Sequence, residues 1–210
     1  MKIALFGGTG RTGRPFIDQA LAQGHQITAL VRDPAKLTVQ NPNLTVVKGD
    51  VTNPADVQRV VQGADAVVLA IGHTGKSTPR TMMAQAATNV VNAMKAAGVK
   101  RVITLTGAGV SAPQDKPGFV DHVFKFLLKT INPDVLADSE NHAHIIGASG
   151  LDYTIVRGPR LTEGPHTGRY QVGWAGQGMK TQISRADVAD FMLKQVTARD
   201  YIGLMPMVSD

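Results

Sequence analysis

The 210-residue sequence predicts an α/β fold, a doubly wound and mostly parallel sheet with a small irregular C-terminal lobe. Three observations predict it. Short apolar runs alternate with amphipathic stretches of helical period along the first half of the chain. Those runs are apolar at nearly every position, as expected of strands covered on both faces. The turns between them are short and punctuated by glycine, and no linker or repeat divides the chain into two cores.

The elements follow in order. Residues 3–6 form an apolar run that ends in glycine, a buried strand. Phe16, Ile17, Ala20 and Leu21 share one face of a helix over 15–22, which Gly24 ends. Residues 27–31 and 44–47 are the second and third strands. Asn53-Pro54-Ala55-Asp56 starts a helix, with Asn as N-cap, Pro at the first position and an acid near the positive end. Gly63 stops it, and 66–71 is an apolar fourth strand. Met83, Ala86, Ala87, Val90, Val91, Met94 and Ala97 recur at spacings of three and four on a helix over 79–97, a core-packing stripe. Gly98 closes that helix before a fifth strand, 102–105.

The second half is less regular. Phe119, Val123, Phe124, Leu127 and Ile131 make 119–131 amphipathic, and Pro133 opens a helix that Ser149-Gly150 ends near residue 148. Residues 153–156 are a sixth strand, broken by Gly158-Pro159. A glycine-rich polar loop with room for one short strand covers 162–178, and Ser184-Arg185-Ala186-Asp187 caps a helix running to about residue 196.

Composition removes several kinds of chemistry. The absence of cysteine excludes disulfides, thiolate nucleophiles, Cys-ligated zinc and iron–sulfur clusters. His142 and His144 lack the spacing of a helical metal pair, so they read as unrelated surface histidines and no metal site is expected. No stretch approaches the roughly 18 apolar residues of a membrane span, and the chain reads as soluble and cytoplasmic. The +6 net charge permits an anionic partner, but there is neither a Lys/Arg run nor interleaved aromatics, so nucleic acid is not expected.

The sharpest motif is Gly7-Gly8-Thr9-Gly10-Arg11-Thr12-Gly13, between the first strand and the first helix. Missing side chains at 7, 10 and 13 let backbone approach a pyrophosphate at the positive end of the helix, in the strand–turn–helix setting that a Rossmann-like dinucleotide site requires. At the end of the second strand, Arg32 stands where a residue faces the adenosine ribose; arginine accommodates the 2′-phosphate of NADP, whereas an acid would bind the free hydroxyl of NAD. NADP(H) is therefore expected over NAD(H), with Arg11 able to reach the same phosphate and Asp33 keeping an NAD reading open. Asp50-Val51 and Ala70-Ile71-Gly72, after the third and fourth strands, complete the rim. Asp50 can accept from the adenine amino group or cap its own turn.

Residues 2–13, Leu30-Val31-Arg32-Asp33, Gly49-Asp50-Val51, Asn92-Ala93-Met94-Lys95-Ala96-Ala97-Gly98-Val99, 149–154 and Ser184-Arg185-Ala186-Asp187 resemble, in the same order, the atypical short-chain dehydrogenase/reductases, above all the flavin reductases that are also biliverdin-IXβ reductases. The resemblance covers nearly the whole chain and is weakest from 108 to 141. It implies that Gly7, Gly10, Arg11, Thr12 and Gly13 hold the diphosphate, with Thr9 in the same loop, that Arg32 binds the 2′-phosphate and that Asp50 and Val51 meet the adenine. Thr106 would serve the nicotinamide side, and Pro159, Arg160 and Leu161 would present backbone near the carboxamide.

Two departures bear on the chemistry. Tyr153, Tyr170 and Tyr201 are followed four residues later by Arg157, Trp174 and Met205, so no Tyr-x-x-x-Lys pair exists. The serine and histidine of the flavin/biliverdin reductases are replaced by Gly107 and Arg160. Hydride transfer to a conjugated ring depends mainly on alignment, and Arg160 is the candidate to stabilise the reduced anion, with His73 and Lys125 as weaker candidates.

The expectation is one NAD(P)-binding domain over 1–210, monomeric or a small homo-oligomer. It would pass hydride to a small-molecule acceptor such as FMN, FAD or riboflavin, over a lobe built from 107–133 and 158–183. A non-catalytic NADP(H)-binding redox sensor that regulates a protein partner is the second reading.

Overall fold

The structure, a computed structural model, describes residues 1–73, 79–118, 130 and 132–210. The amphipathic stretch expected over 119–131, and Lys125 within it, lie outside these apart from Thr130.

Parallel strands alternate with helices: β1 (Lys2–Phe6), α1 (Gly13–Ala22), β2 (Gln26–Val31), β3 (Leu44–Lys48), α2 (Pro54–Val61), β4 (Ala66–Leu69), α3 (Met82–Ala97), β5 (Arg101–Gly107), α4 (Pro133–Gly147) and β6 (Asp152–Gly158). The C-terminal part adds β7 (Arg160–Thr162), β8 (Gln171–Gly173), β9 (Gln182–Ser184), α5 (Arg185–Gln195) and β10 (Met207–Ser209). The main sheet runs β3-β2-β1-β4-β5-β6-β10-β8; β7 and β9 pair separately. Every pairing is parallel except β10 with β8. The strand order reverses between β1 and β4, the point at which an open sheet leaves a crevice beyond its carboxyl ends.

Covering both faces explains the apolar runs. In β1, Ile3 and Leu5 face α1 and α5, while Ala4 and Phe6 face α2, α3 and α4. β4 repeats this with Ala66 and Val68 on one side and Val67 and Leu69 on the other. Each β4 side chain is fully buried, worth about 1.5–3 kcal/mol for a Val or Leu. The cap readings hold in detail: Asn53 accepts from Ala55 N, Ser184 from Asp187 N, and Gly98 takes the left-handed conformation that ends α3.

Some expectations are corrected. The fourth strand ends at Leu69, which frees Ala70–Gly72 to turn across the sheet edge. The long helix starts at Met82 rather than at Pro79. Strands β7, β9 and β10 were not expected; each has only three residues, too short for a periodic signal. His142 is not a surface residue. It is fully buried on α4, where its Nε2 meets Thr104 Oγ1 at 2.7 Å and its Nδ1 meets Met83 O at 2.9 Å. Burial pushes its pKa down, against a smaller opposing pull from the Met83 bond and Asp138. His144 is exposed, as expected. Among the described residues no helix is long and apolar enough to cross a membrane, and no cluster of His, Asp and Glu could hold a metal.

Candidate active site

The carboxyl ends of the strands carry a cleft in two parts. A cavity of about 180 Å³ lies over β1, β2 and β3, and one of about 370 Å³ over β4, β5 and β6. Gly10, Ala70, Ile71 and Gly72 line both, so the two meet at the switch point.

The glycine loop forms their common floor. Gly7 has φ +90°, and a Cβ there would strike the carbonyl oxygen of Ala70. A Cβ on Gly13 would strike the carbonyl of Gly7, and one on Gly10 would stand 3.0 Å from the same oxygen. Part of the motif is thus required by the turn itself, which Gly10 N closes on Gly7 O at 2.9 Å. Thr12 at the start of α1 makes no side-chain cap, and the first turn of α1 carries no acid. Those N–H groups and the positive helix end suit an anion. Gly72 meets nothing within 4 Å, so its small size leaves open space above the junction.

The smaller cavity brings together Gly7, Thr9, Arg32, Asp50 and Val51. Arg32 is exposed there and makes no ion pair or hydrogen bond with a described residue. Asp33 is engaged elsewhere: it caps the turn over Pro34–Lys36 by accepting from Ala35 N and lies 3.7 Å from Lys36 Nζ. Asp50 spends Oδ1 on Thr52, accepting from its N and its hydroxyl, so it caps its own turn at the cavity wall. Val51 is fixed by Asn89 Nδ2, which donates to its carbonyl at 3.0 Å.

The larger cavity collects Arg11, Thr12, Thr106, Pro159 and Leu161, with Met83, Leu105, Val110 and Leu136 as apolar walls. The Thr106 hydroxyl is buried and has no hydrogen-bond partner. An orphaned donor in a cavity wall costs about 1–3 kcal/mol unless something else meets it. Arg11 faces this larger cavity rather than the one that holds Arg32, and donates to Glu163 at 3.2 Å. Gly13 lines neither cavity and acts through packing.

Arg160 is the main correction. Its side chain is exposed on β7 and lines neither cavity, because neighbours on a strand point to opposite sides and Leu161 takes the inward place. The arginine that lines the larger cavity beside Arg11 is Arg185, which donates to Leu161 O at 2.8 Å and Glu163 Oε1 at 2.9 Å. Burial, aided by the neighbouring Arg11, holds its pKa below the usual arginine range, with Glu163 opposing. The sequence offered Arg185 only as part of a helix cap. The tyrosines stay away: Tyr153 packs near Gly147 in the core, and Tyr170 donates to Asp190 at 2.6 Å.

The larger cavity is anchored from behind by Arg157, whose side chain is fully buried. It donates to Asp115 through both terminal nitrogens, to Val110 O and to Met205 O. Asp115 in turn accepts from Ala112 N and Ala175 N, tying 110–115 to the 162–178 loop. Burial alone would raise the Asp115 pKa; the bonds from Arg157, Ala112 and Ala175 outweigh it, and the net shift is down.

Oxidoreductase ylbE from Lactococcus lactis superposes with a TM-score of 0.82 at 26% identity, over 100% of this chain and 91% of that one. A Rossmann-fold NAD(P)-binding family protein from Shigella flexneri gives 0.76 at 27%, over 100% and 93%. Quinone oxidoreductase 2 of Escherichia coli is 28% identical over 213 residues, 96% of this chain and 66% of the relative. Other relatives are longer: the match spans 61% of a chloroplastic protein of Arabidopsis thaliana and 33% of an isoflavone reductase homolog of Zea mays. Residues 7–199 match the family described as NAD(P)H-binding, and the chain belongs to that family.

Proposed function

We propose that the protein is an NADPH-dependent reductase that passes hydride to a flavin or a similar conjugated acceptor. The observation that carries this reading is the Thr106 hydroxyl, buried without a partner where the dinucleotide cleft opens into the larger apolar cavity. A reduced nicotinamide bound beside Thr106 supplies two electrons as a hydride. The chain's own residues do the rest. Gly7, Gly10 and Gly13 keep the loop low enough for a diphosphate, and the uncapped start of α1 meets its charge. Thr106 offers the carboxamide side a hydrogen bond. Met83, Leu105, Val110 and Leu136 exclude water from the acceptor's place.

Preference for NADP(H) is supported by Arg32, exposed over the adenosine cavity with no partner among the described residues, and by Asp33, which is spent on its own turn. Quinone oxidoreductase 2 and the Lactococcus oxidoreductase lend the reductase class further support. The reading includes a small-molecule acceptor, no nucleic acid or membrane partner, and a cytoplasmic setting.

Titration with NADPH and NADH, followed by a turnover screen over FMN, FAD, riboflavin, quinones and biliverdin, tests it. Arg32→Ala is expected to weaken NADPH by about 10–100-fold, the worth of charge-assisted hydrogen bonds, and to leave NADH nearly unchanged. Tight NADPH binding with no acceptor accelerating its oxidation would sink the enzyme reading in favour of a redox sensor.

A further inference from the structure

We propose that His73 is the acid that protonates the reduced acceptor, and that Asp138 is the residue that positions it. The inference rests on the reductase reading above and adds the acceptor's chemistry.

His73 follows Gly72 at the switch point and lines the larger cavity, its side chain 11% exposed. Its Nε2 lies 2.9 Å from Asp138 Oδ2, and Asp138 on α4 is 1% exposed. The same carboxylate accepts from Met83 N and Ala84 N, both at 2.9 Å, at the start of α3. A carboxylate accepts only, so the proton of that ring edge sits on Nε2 and the imidazole is fixed in one orientation. Among the described residues Nδ1 meets no partner, which leaves it to serve the cavity that His73 lines.

A purely structural role accounts poorly for His73. Asp138 serves the α3 N–H groups without it. His142, in the same region, shows what a structural histidine looks like here: buried, with both nitrogens bonded. The other polar side chains on the cavity wall offer no comparable acid. Arg11 and Arg185 are guanidiniums, Thr12, Thr106 and Ser139 are alcohols, and Asn132 is an amide.

The step balances simply. Hydride adds to the acceptor, the dinucleotide is oxidised by two electrons, and the electron pair displaced within the acceptor comes to rest on an oxygen. The new O–H bond forms as the His73 Nδ1–H bond breaks, and the neutral imidazole takes a proton back from solvent. This suits a quinone or conjugated carbonyl, whose reduced oxygen needs the proton. A flavin, stable as a reduced anion, needs it least.

The test uses the full chain with NADP⁺ bound and 4-nitrophenolate as a mimic of the reduced oxygen, followed by its absorbance and by proton uptake in calorimetry. Wild type is expected to bind with proton uptake, and His73→Gln, which keeps a donor for Asp138, to bind about tenfold more weakly without it. Turnover gives the second readout. Naphthoquinone reduction by His73→Gln should fall about 10²–10⁴-fold, and hydride exchange into thio-NADP⁺, which needs no proton, far less. Asp138→Asn, checked for folding by its melting curve, should show the same split at smaller size.

No phenolate binding by wild type, equal binding by His73→Gln, or equal falls for both acceptors overturns the assignment. Wild type that reduces no acceptor at all takes down the reductase reading with it; wild type that reduces naphthoquinone and is matched by His73→Gln takes down the inference alone.

Discussion

The two halves of the cleft are built by different means. The smaller cavity, about 180 Å³ over β1 to β3, is mostly backbone: a glycine loop, strand ends and short capped turns, contributed mainly by residues up to Gly72. The larger, about 370 Å³ over β4 to β6, is made of side chains from residues far apart in sequence and held by buried polar anchors. The first half can be recognised wherever the loop occurs, because its geometry forbids alternatives. The second can be reshaped by exchanging a few side chains, which is where one member of such a family can differ from another in its acceptor.

The sharpest way to break this contrast is to place one methyl group under the glycine loop and another at the junction of the two cavities. Gly13→Ala drives a Cβ into the carbonyl of Gly7, with Gly8 Cα at 2.9 Å as well, and only backbone can yield. Misplacing the loop by about 1 Å is expected to cost about a hundredfold in dinucleotide affinity and about 1–3 kcal/mol of stability, read by fluorescence titration and urea unfolding. Gly72→Ala meets nothing within 4 Å, and its stability should stay within about 0.5 kcal/mol. Unchanged NADPH binding by Gly13→Ala would mean that the loop is only a turn.

What the sequence disclosed follows the same division. The strand runs, the caps at Asn53 and Ser184 and the glycine loop are local patterns, and each appears in the structure where the spacing puts it. The place of Arg32 on the smaller cavity was legible because a strand end opens onto the crevice by topology. Arg160 misled because parity on a three-residue strand cannot be read from the sequence, and one position decides which side chain faces the cavity. His142 misled because spacing excluded a metal pair without revealing burial. Asp138 gave no signal at all: its partners are 54–65 residues away.

The anchor behind the larger cavity offers the next test. Asp115→Ala leaves the fully buried Arg157 without its partner, which should cost about 3–5 kcal/mol in urea unfolding. Because the folded-state pKa of Asp115 is depressed, its contribution is present above the unfolded-state value near 4 and is lost as pH falls through the lower folded value. Asp115→Asn should therefore flatten the acid limb of a melting-temperature profile. Under native conditions NADPH affinity should change little in either variant, because the smaller cavity does not depend on this anchor. Equal loss of dinucleotide binding would show the two halves to be one unit.

The finest distinction lies between two arginines. Arg185 lines the larger cavity and holds Leu161 O and Glu163, whereas Arg160 points out from β7. Removing Arg185 should loosen the β7 wall and raise the KM for the acceptor by about 5–10-fold, the net worth of one ordinary hydrogen bond. Arg160→Ala should stay within about twofold in both kcat and KM, as surface charges far from the reacting atoms do. Steady-state kinetics with a saturating dinucleotide separates them. A reversed ranking would return the electrostatic role to Arg160 and require β7 to turn over when the acceptor binds.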